Sequence, residues 1–330
     1  MNKNKINEGV SLFFRSHTKT DYQTHRTKDN RLLMTVLEIN NIEKSYSKTK
    51  ALKGISFAVP EGSIFGILGP NGSGKTTLLG ILLDVLHADA GSFSWFGQPP
   101  SAQQRKQIGT LLETPNFFHY LSATRNLEVT SQISGRGDHS EIEDILKKVG
   151  LYERRASKFS TYSLGMKQRL AIGAALLGAP PVIVLDEPTN GLDPVGIAEI
   201  RELILELKSD GHTIILASHL LDEVEKICTH VAIMKSGKLL TSGAVEEVLH
   251  PEDLVEIAAD NLEQLSEVIG LLPQLIYQKQ ENQKLLLGLL KDNADLEAIN
   301  EFCFSMGIVL NHLYLRKQRL ETRFFELTQD

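Results

Sequence analysis

The sequence has few cysteines and no long hydrophobic run. Only two cysteines, Cys228 and Cys303, occur among 330 residues, so neither a disulfide framework nor a cysteine metal site is expected, and a reducing compartment is favoured. No stretch approaches the roughly 20 consecutive apolar residues that cross a bilayer. The longest apolar stretches, such as Val182–Leu185 and Thr213–Ala217, have the length of strands. We therefore expect a chain that does not span a membrane by itself.

An excess of positive charge is also absent. The formal net charge is -6, which argues against a general nucleic-acid binder, so no nucleic-acid partner is expected. The composition is 42% hydrophobic and 23% charged, which is ordinary for a globular protein and argues against wholesale disorder. The length suits one large domain and a smaller one, at roughly 100–200 residues per domain.

Residues 1–33 differ from the rest of the chain. They hold seven basic and three acidic residues and few apolar ones, so we expect a disordered extension. This segment is either a basic arm that touches anionic lipid or a partner, or a targeting peptide, although Ser11–Phe14 is short for a secretory signal. The favoured alternative is that Met34, directly before the alternating segment Val36–Ile39, is the true start.

Apolar patterning predicts the strands. Alternation marks Val36–Ile39 and Ile55–Val59, and the apolar run Ser63–Leu68 leads into a glycine-rich loop. Val182–Leu185 and Thr213–Ala217 are rich in β-branched residues and do not alternate, which is typical of parallel strands buried on both faces.

Helical spacing of apolar residues predicts helices at Thr76–Leu86, after the loop, and at Ile197–Lys208, between the two buried strands. Residues 120–178 are predicted to be mainly helical, with an interruption at Ser131–His139. From about residue 252 we expect an α/β tail with strands near Leu285–Leu290 and Val309–Leu315.

The glycine-rich loop fits the phosphate-binding pattern GxxxxGK[ST] in full. Its glycines allow backbone N–H groups to curl round phosphates. Lys75 would bring positive charge to the β- and γ-phosphates of ATP, Thr76 would offer its hydroxyl to Mg²⁺, and the next helix would point its N-terminal dipole at the same anions. The predicted ATP-binding residues here are Gly69, Pro70, Asn71, Gly72, Ser73, Gly74, Lys75, Thr76 and Thr77.

Two carboxylates follow the buried strand Val182–Leu185. A phosphate loop needs a carboxylate to hold Mg²⁺ and a group to orient the attacking water. Asp186 is the candidate Mg²⁺ ligand, and Glu187 is the candidate general base.

With these two motifs the chain resembles the ABC ATPases over most of residues 36–245. The segment Tyr162–Arg169 is similar to the ABC signature, whose common form is LSGGQ. Asn190–Asp193 resembles the D-loop of the family, and Ser218 and His219 resemble its switch histidine segment. Tyr46 lies where the family has an aromatic residue that stacks on adenine.

The resemblance implies a working unit of two ATPase domains. Ser163 and Gly165 of the signature would bind the γ-phosphate of ATP held by the opposite subunit, while Ser163 is also a candidate helix N-cap. His219 would contact the γ-phosphate and sense hydrolysis. The second ATPase would be an identical chain or a paralogue.

Some positions depart from the common family pattern. Glu113 stands where the family usually has a glutamine that touches Mg²⁺ and water, and its carboxylate is a candidate Mg²⁺ ligand. Leu164, Met166 and Lys167 also differ from the common signature. These departures resemble a branch of bacterial exporters of antibiotic peptides, lantibiotics and drugs that pair with ABC-2-type membrane subunits. Phe117–Leu127 and Leu320–Leu327 resemble the same branch, and the apolar residues of the latter are expected to pack a helix against the tail.

The predicted fold is α/β, a P-loop NTPase of ABC type with a mostly parallel sheet, an antiparallel β layer, a helical subdomain and a small C-terminal α/β tail. The predicted domains are an extension at 1–33, an ATPase domain at 34–250 with the helical subdomain at about 114–170, and an accessory domain at 251–330. The expected function is that of an ATP-hydrolysing, Mg²⁺-dependent subunit of a bacterial ABC exporter. The subunit is expected at the cytoplasmic face of the membrane. Its expected partner is a separate ABC-2-type transmembrane subunit, which it would contact near Glu113–Leu127. The alternative is a soluble ABC ATPase acting in translation or DNA maintenance.

Overall fold

The fold is described from a computed structural model that covers residues 34–112, 116–249, 254–272, 275–281, 283–289 and 296–316. Three predictions fall outside these residues: the 1–33 extension, Glu113 as a metal ligand, and the Leu320–Leu327 helix. By its internal contacts the chain divides into Met1–Met34 and Thr35–Asp330, and the elements below belong to the second unit.

Thirteen strands and ten helices are assigned within the described residues. The strands are β1 Thr35–Tyr46, β2 Thr49–Pro60, β3 Ile64–Leu68, β4 Ala90–Trp95, β5 Ile108–Leu111, β6 Val182–Asp186, β7 Thr213–Ser218, β8 His230–Lys235, β9 Lys238–Ala244, β10 Leu254–Ala259, β11 Leu275–Glu281, β12 Lys284–Leu289 and β13 Leu310–Arg316. The helices are α1 Lys75–Leu82, α2 Ala102–Arg105, α3 Ala123–Ser134, α4 His139–Lys148, α5 Leu164–Leu176, α6 Pro194–Ser209, α7 Leu221–Ile227, α8 Val245–Leu249, α9 Leu262–Ile269 and α10 Leu296–Ser305.

A six-stranded sheet in the order β5-β6-β7-β3-β8-β9 forms the centre of the predicted ATPase domain. Its first five strands are parallel, and β9 runs antiparallel to β8. Along β6, Ile183 and Leu185 point into one core with helices α3 to α7, whereas Val182 and Val184 point into another with α1 and the antiparallel strands. Burial on both faces explains why these strands are apolar without alternation.

The second sheet is antiparallel, in the order β2-β1-β4. The Trp95 indole at the end of β4 is 1% exposed and donates a hydrogen bond to the Leu82 carbonyl at 2.9 Å, which ties this layer to the end of α1. The predicted mostly parallel sheet and antiparallel N-terminal layer are thus confirmed.

Helices α3, α4 and α5 follow the edge strand β5 in sequence and lie in the predicted helical region. The interruption predicted at Ser131–His139 is confirmed and is shorter, because α3 ends at Ser134 and Gly135 takes a φ of 62°. Asp138 then starts α4 with a capping box that includes Glu141.

Two predicted helices differ in length from those in the structure. Helix α1 ends at Leu82 rather than Leu86, because Val85 N and Leu86 N both donate to the Gly80 carbonyl at 2.9 Å and turn the chain back. Helix α6 begins earlier than Ile197, since Asp193 caps it and Pro194 occupies its first turn, where the absent N–H has no intrahelical partner to lose.

The C-terminal region is a βαββαβ unit with strand order β11-β12-β10-β13, all pairs antiparallel. Two helices cover one sheet face through a core that includes Val255, Ile257, Leu285 and Ile299. The two predicted tail strands correspond to β12 and β13. The domain boundary at 250/251 stays a prediction. Among the described residues, no helix is both long enough and apolar enough to cross a membrane.

Candidate functional site

The glycine-rich loop joins the carboxyl end of β3 to the first turn of α1. A Cβ at Gly69 would collide with the Met234 carbonyl and the Ser73 side chain. Gly74 has a φ of 107°, and a Cβ there would lie 2.8 Å from Leu52 Cδ2 and 2.9 Å from the Ala51 carbonyl. The loop therefore needs glycine at Gly69 for space and at Gly74 for space as well as for backbone freedom.

Replacing Gly74 with alanine is expected to destabilise the protein more than replacing Gly72 with alanine. Both residues have positive φ, but a Cβ at Gly72 meets nothing within 4 Å. The two variants share the backbone penalty, so their difference isolates the steric clash, about 1–3 kcal/mol for an overpacked site. Urea unfolding of both variants measures it, and equal midpoints would contradict the expectation.

Lys75 lies inside the loop with only 6% of its side chain exposed. Its Nζ donates to the Gly69 carbonyl at 2.8 Å and lies 3.3 Å from Glu187 Oε1. A cation held in this way at the start of a helix adds charge to the N-terminal end of the helix dipole. The arrangement is suited to binding polyphosphate.

Asp186 ends strand β6 and is 2% exposed. The Thr76 hydroxyl donates to Asp186 Oδ2 at 2.9 Å, which joins the first turn of α1 to the end of β6. A hydroxyl and a carboxylate side by side are hard oxygen donors of the kind that Mg²⁺ prefers when it is also held by phosphates. The two side chains fit the predicted Mg²⁺ site.

Glu187 has an unusual backbone conformation for a residue that is not glycine. Its φ is 49°, a left-handed conformation that costs about 1–3 kcal/mol. Glu187 N donates to the Ala217 carbonyl of β7 at 2.9 Å, which holds the turn in place. In this conformation the carboxylate reaches Lys75 with one oxygen and His219 with the other.

His219 follows directly after β7, the strand next to β6. Its Nδ1 lies 2.8 Å from Glu187 Oε2. An ionised carboxylate only accepts hydrogen bonds, so this contact requires the hydrogen on Nδ1. Nε2 then remains for a contact on the other side of the ring, and 35% of the side chain is exposed.

The predicted site residues fall into two groups. In the first group, Thr76 bonds to Asp186, while Glu187 contacts Lys75 and His219. Lys75 and Thr76 are neighbours in sequence, as are Asp186 and Glu187, so the backbone joins these contacts into one connected set of five residues. The remaining predicted residues outside the loop, Tyr46, Ser163 and Gly165, have no described hydrogen bond or ion pair to this set.

Ser163 is the N-cap of α5, and its exposed hydroxyl accepts from Met166 N at 3.3 Å. The predicted capping role is therefore present, and the side chain remains at the surface. Tyr46 ends β1 with 46% of its surface exposed, and Lys44 Nζ lies 5.7 Å from its ring centroid. An exposed ring is open to stacking on a planar ligand.

Two backbone groups of the site were not predicted from the sequence. The Gly69 carbonyl orients Lys75, and the Ala217 carbonyl fixes the turn at Glu187. The residue type does not reveal which main-chain groups form these bonds. Only the strand order, which places β7 beside both β3 and β6, points to the Ala217 carbonyl.

Comparison of the sequence with known proteins finds ATP-binding proteins of ABC transporters. The profile of the ABC transporter family matches residues 52–190. The lantibiotic transport ATP-binding protein SrtF of Streptococcus pyogenes is 39% identical over 205 residues, which is 62% of this chain and 89% of that protein. The bacitracin transport ATP-binding protein BcrA of Enterococcus faecalis is 38% identical over 217 residues, 64% of this chain and 70% of that protein.

A solved structure has the same fold. CbiO1 from Clostridium perfringens, part of the ABC transporter complex cbiONQ, matches with a TM-score of 0.60 and 30% sequence identity. The match covers 72% of this chain and 96% of that one.

Proposed function

The chain belongs to the ABC transporter family of ATP-binding proteins, and on that basis we propose that its ATPase drives export through a separate ABC-2-type membrane subunit. As a member of the family it is a transport-coupled ATPase. The observation that carries the proposal is the connected set of Lys75, Thr76, Asp186, Glu187 and His219, which joins a phosphate loop to a candidate base.

We assign each side chain of this set a role that its contacts support. Lys75 binds the β- and γ-phosphates of ATP. Thr76 and Asp186 would hold Mg²⁺, which would supply positive charge against the phosphates. Glu187 orients water and accepts its proton, and the Lys75 ammonium lies 3.3 Å from its Oε1.

His219 donates its Nδ1–H to Oε2 of Glu187, the carboxylate oxygen that does not face Lys75. Its second nitrogen is then available to contact the γ-phosphate, so that this residue senses whether the phosphate is present. The contact between His219 and Glu187 couples that sensing to the base.

A second ATPase domain completes each site. Ser163 and Gly165 lie at the N-terminal end of α5, where the helix dipole favours an anion, and the Ser163 side chain is exposed. These groups bind the γ-phosphate held by the other domain, and Tyr46 stacks on adenine. The second domain is an identical chain or a paralogue.

The membrane partner contacts the region before α3, at the cytoplasmic face of a bacterial membrane. Phe118 is 47% and Tyr120 is 68% exposed there, and the following Asn126 is buried and bonds to the Phe118 backbone, which fixes the turn. Exposed aromatic residues on a rigid turn suit a protein interface.

Since SrtF and BcrA are transport proteins for a lantibiotic and bacitracin, the cargo is an antibiotic peptide or similar amphipathic drug.

Deletion of the gene is expected to sensitise the host to bacitracin or a lantibiotic, because export lowers the amount of peptide at the membrane. Growth is measured against rising peptide concentration, with complementation by wild type and by Glu187→Gln. Wild type restores resistance, and Glu187→Gln does not. The matched surface variant Glu202→Gln, in α6, restores it as wild type does.

The proposal would be overturned by the opposite pattern. If fractionation finds the chain on ribosomes or DNA, and deletion slows growth with unchanged peptide sensitivity, the chain acts in translation or DNA maintenance instead.

A further inference from the structure

The turn between α3 and α4 contacts the segment that joins α5 to β6. We call residues 135–138 the clamp turn and residues 177–181 the α5–β6 connection. Glu141, in the first turn of α4, bonds to Gly178 of the connection, and Arg136, in the clamp turn, bonds to Ile108 of β5. Neither residue belongs to a recognised nucleotide-binding motif, and neither is part of the connected catalytic set.

Arg136 joins the clamp turn to the edge of the central sheet. Its Nη1 donates to the Ile108 carbonyl at the start of β5, at 2.7 Å. The guanidinium is partly buried, which lowers the pKa of Arg136, while the charge of Glu141 raises it. A charged group taken partly out of water is normally retained only where it is hydrogen-bonded, as it is here.

Glu141 joins the clamp turn to the α5–β6 connection. Its Oε1 accepts from Asp138 N at 2.7 Å, and both carboxylate oxygens lie 3.2 Å from Gly178 N, which donates to them. Charge-assisted bonds of this kind are about twice as strong as neutral ones. The backbone at Gly178 is therefore held by a side chain from a different helix.

The α5–β6 connection has a constrained backbone. Gly178 has a φ of 74° and Ala179 a φ of 44°, so two successive residues are left-handed, the second without the freedom of glycine. A Cβ at Gly178 would lie 3.0 Å from Gly137 N, so clamp turn and connection also approach each other through backbone. The clamp contacts hold this geometry from outside the connection.

The connection lies between the two parts of the composite site. Upstream, α5 begins at the Ser163 cap, and downstream, β6 ends at Asp186. Helix α5 has 13 residues and is about 20 Å long, so a tilt of about 5° at Gly178 would move Ser163 by about 2 Å. The angle set at the connection thus decides where Ser163 is presented relative to the catalytic carboxylates.

We propose that Arg136 and Glu141 are positioning residues for ATP hydrolysis. Glu141 holds Gly178 after the end of α5, and Arg136 fixes the clamp turn to β5, which pairs with β6 at Ile108 and Val182. Together they set the angle between α5 and the sheet at which Ser163 meets the ATP held by the second domain. The role requires the two-domain site of the proposed function. It acts after nucleotide has bound to one domain, because the clamp contacts neither the phosphate loop nor Lys75.

The test compares Arg136→Ala and Glu141→Ala with wild type in steady-state ATP hydrolysis and in ADP binding. We expect kcat to fall about tenfold or more, since misplacement by about 1 Å can lower a rate up to about 100-fold. ADP affinity of the single chain is expected to stay unchanged. Arg136→Lys keeps a cation that can donate to the Ile108 carbonyl, so it is expected to recover most of the rate.

Asp138→Ala is the matched structural control. The Asp138 side chain caps α4 through Ser140 N, and it has no described hydrogen bond or ion pair to Ile108 or Gly178. A general loss of helix stability would therefore appear in Asp138→Ala as well. An equal fall of kcat in Asp138→Ala, or a parallel loss of ADP affinity in the clamp variants, overturns the positioning role.

A second measurement separates this role from the proposed function. In a Glu187→Gln background, ATP-dependent dimers are measured by sedimentation, with and without Arg136→Ala. A dimer that needs a higher ATP concentration when Arg136 is lost supports the positioning role. The positioning role alone is overturned if Arg136→Ala changes neither dimerisation in the Glu187→Gln protein nor kcat in the protein that retains Glu187. If Glu187→Gln by itself never dimerises, the two-domain site and the positioning role fall together.

Discussion

Replacing Glu187 with glutamine is expected to slow ATP hydrolysis by about 10²–10⁴-fold, the usual contribution of a general base. Glutamine preserves the shape of the side chain but cannot accept the proton of water at neutral pH. Nucleotide binding is expected to persist, because Lys75 keeps its bond to the Gly69 carbonyl at 2.8 Å. Phosphate release measured at saturating ATP and Mg²⁺ gives the rate, and equilibrium ADP binding gives the affinity.

The ATP-bound Glu187→Gln protein is also expected to accumulate as a dimer, since ATP that joins two domains is no longer consumed. Size-exclusion chromatography with ATP, with ADP and with ATP plus a chelator distinguishes a nucleotide-dependent dimer from a constitutive one. Glu202→Gln, an exposed substitution of the same chemistry, serves as the control and should hydrolyse ATP as wild type does. Hydrolysis by Glu187→Gln at the wild-type rate would remove Glu187 from the role of base.

Replacing Lys75 with methionine is expected to weaken ATP binding by roughly 10- to 150-fold, since hydrogen bonds to charged groups contribute about 1.5–3 kcal/mol. Methionine keeps most of the length of the side chain and removes its charge. The variant also loses both described contacts of Lys75 Nζ, with the Gly69 carbonyl and with Glu187. Hydrolysis should fall by more than binding, because the charge on the γ-phosphate oxygens must be stabilised in the transition state.

Two controls accompany the Lys75 variant. Lys75→Arg keeps the charge in a longer and planar group, so it should bind ATP better than the methionine variant. Lys50→Ala removes a half-exposed lysine paired with Glu43 at the surface and should change neither affinity nor rate. Thermal unfolding of all three proteins excludes a loss of fold. An unchanged ATP affinity in Lys75→Met would contradict the assignment of the phosphate loop.

The central strands and the proximity of the candidate catalytic residues were predictable from the sequence for a physical reason. Strands buried on both faces need apolar residues at every position, so β6 and β7 stand out as short continuous runs. The polar residues that follow them, Asp186 and His219, must then lie at one edge of a parallel sheet. Strand β8, with Val231 to Met234 buried, carries the same signal, whereas β5 has only four residues and includes Gly109 and Thr110.

Features that depend on backbone geometry could not be predicted. The residues around Glu187 do not predict its φ of 49°, although the following proline disfavours a helical conformation there. The clamp contacts of Arg136 and Glu141 join main-chain groups that are distant in sequence and belong to no motif. The strand order of the tail was likewise out of reach, because β10 and β11 were not recognised as strands and long-range pairing leaves no local pattern.

The left-handed backbone at Glu187 has a consequence for protein engineering. Glycine adopts this conformation without penalty, whereas glutamate does not. A selection that scores heat resistance alone would therefore reward glycine at position 187 for its backbone, although glycine loses the contacts with Lys75 and His219, and would so enrich proteins that lack the proposed base. Libraries designed to make this ATPase more robust should keep that codon constant and screen for turnover alongside melting temperature.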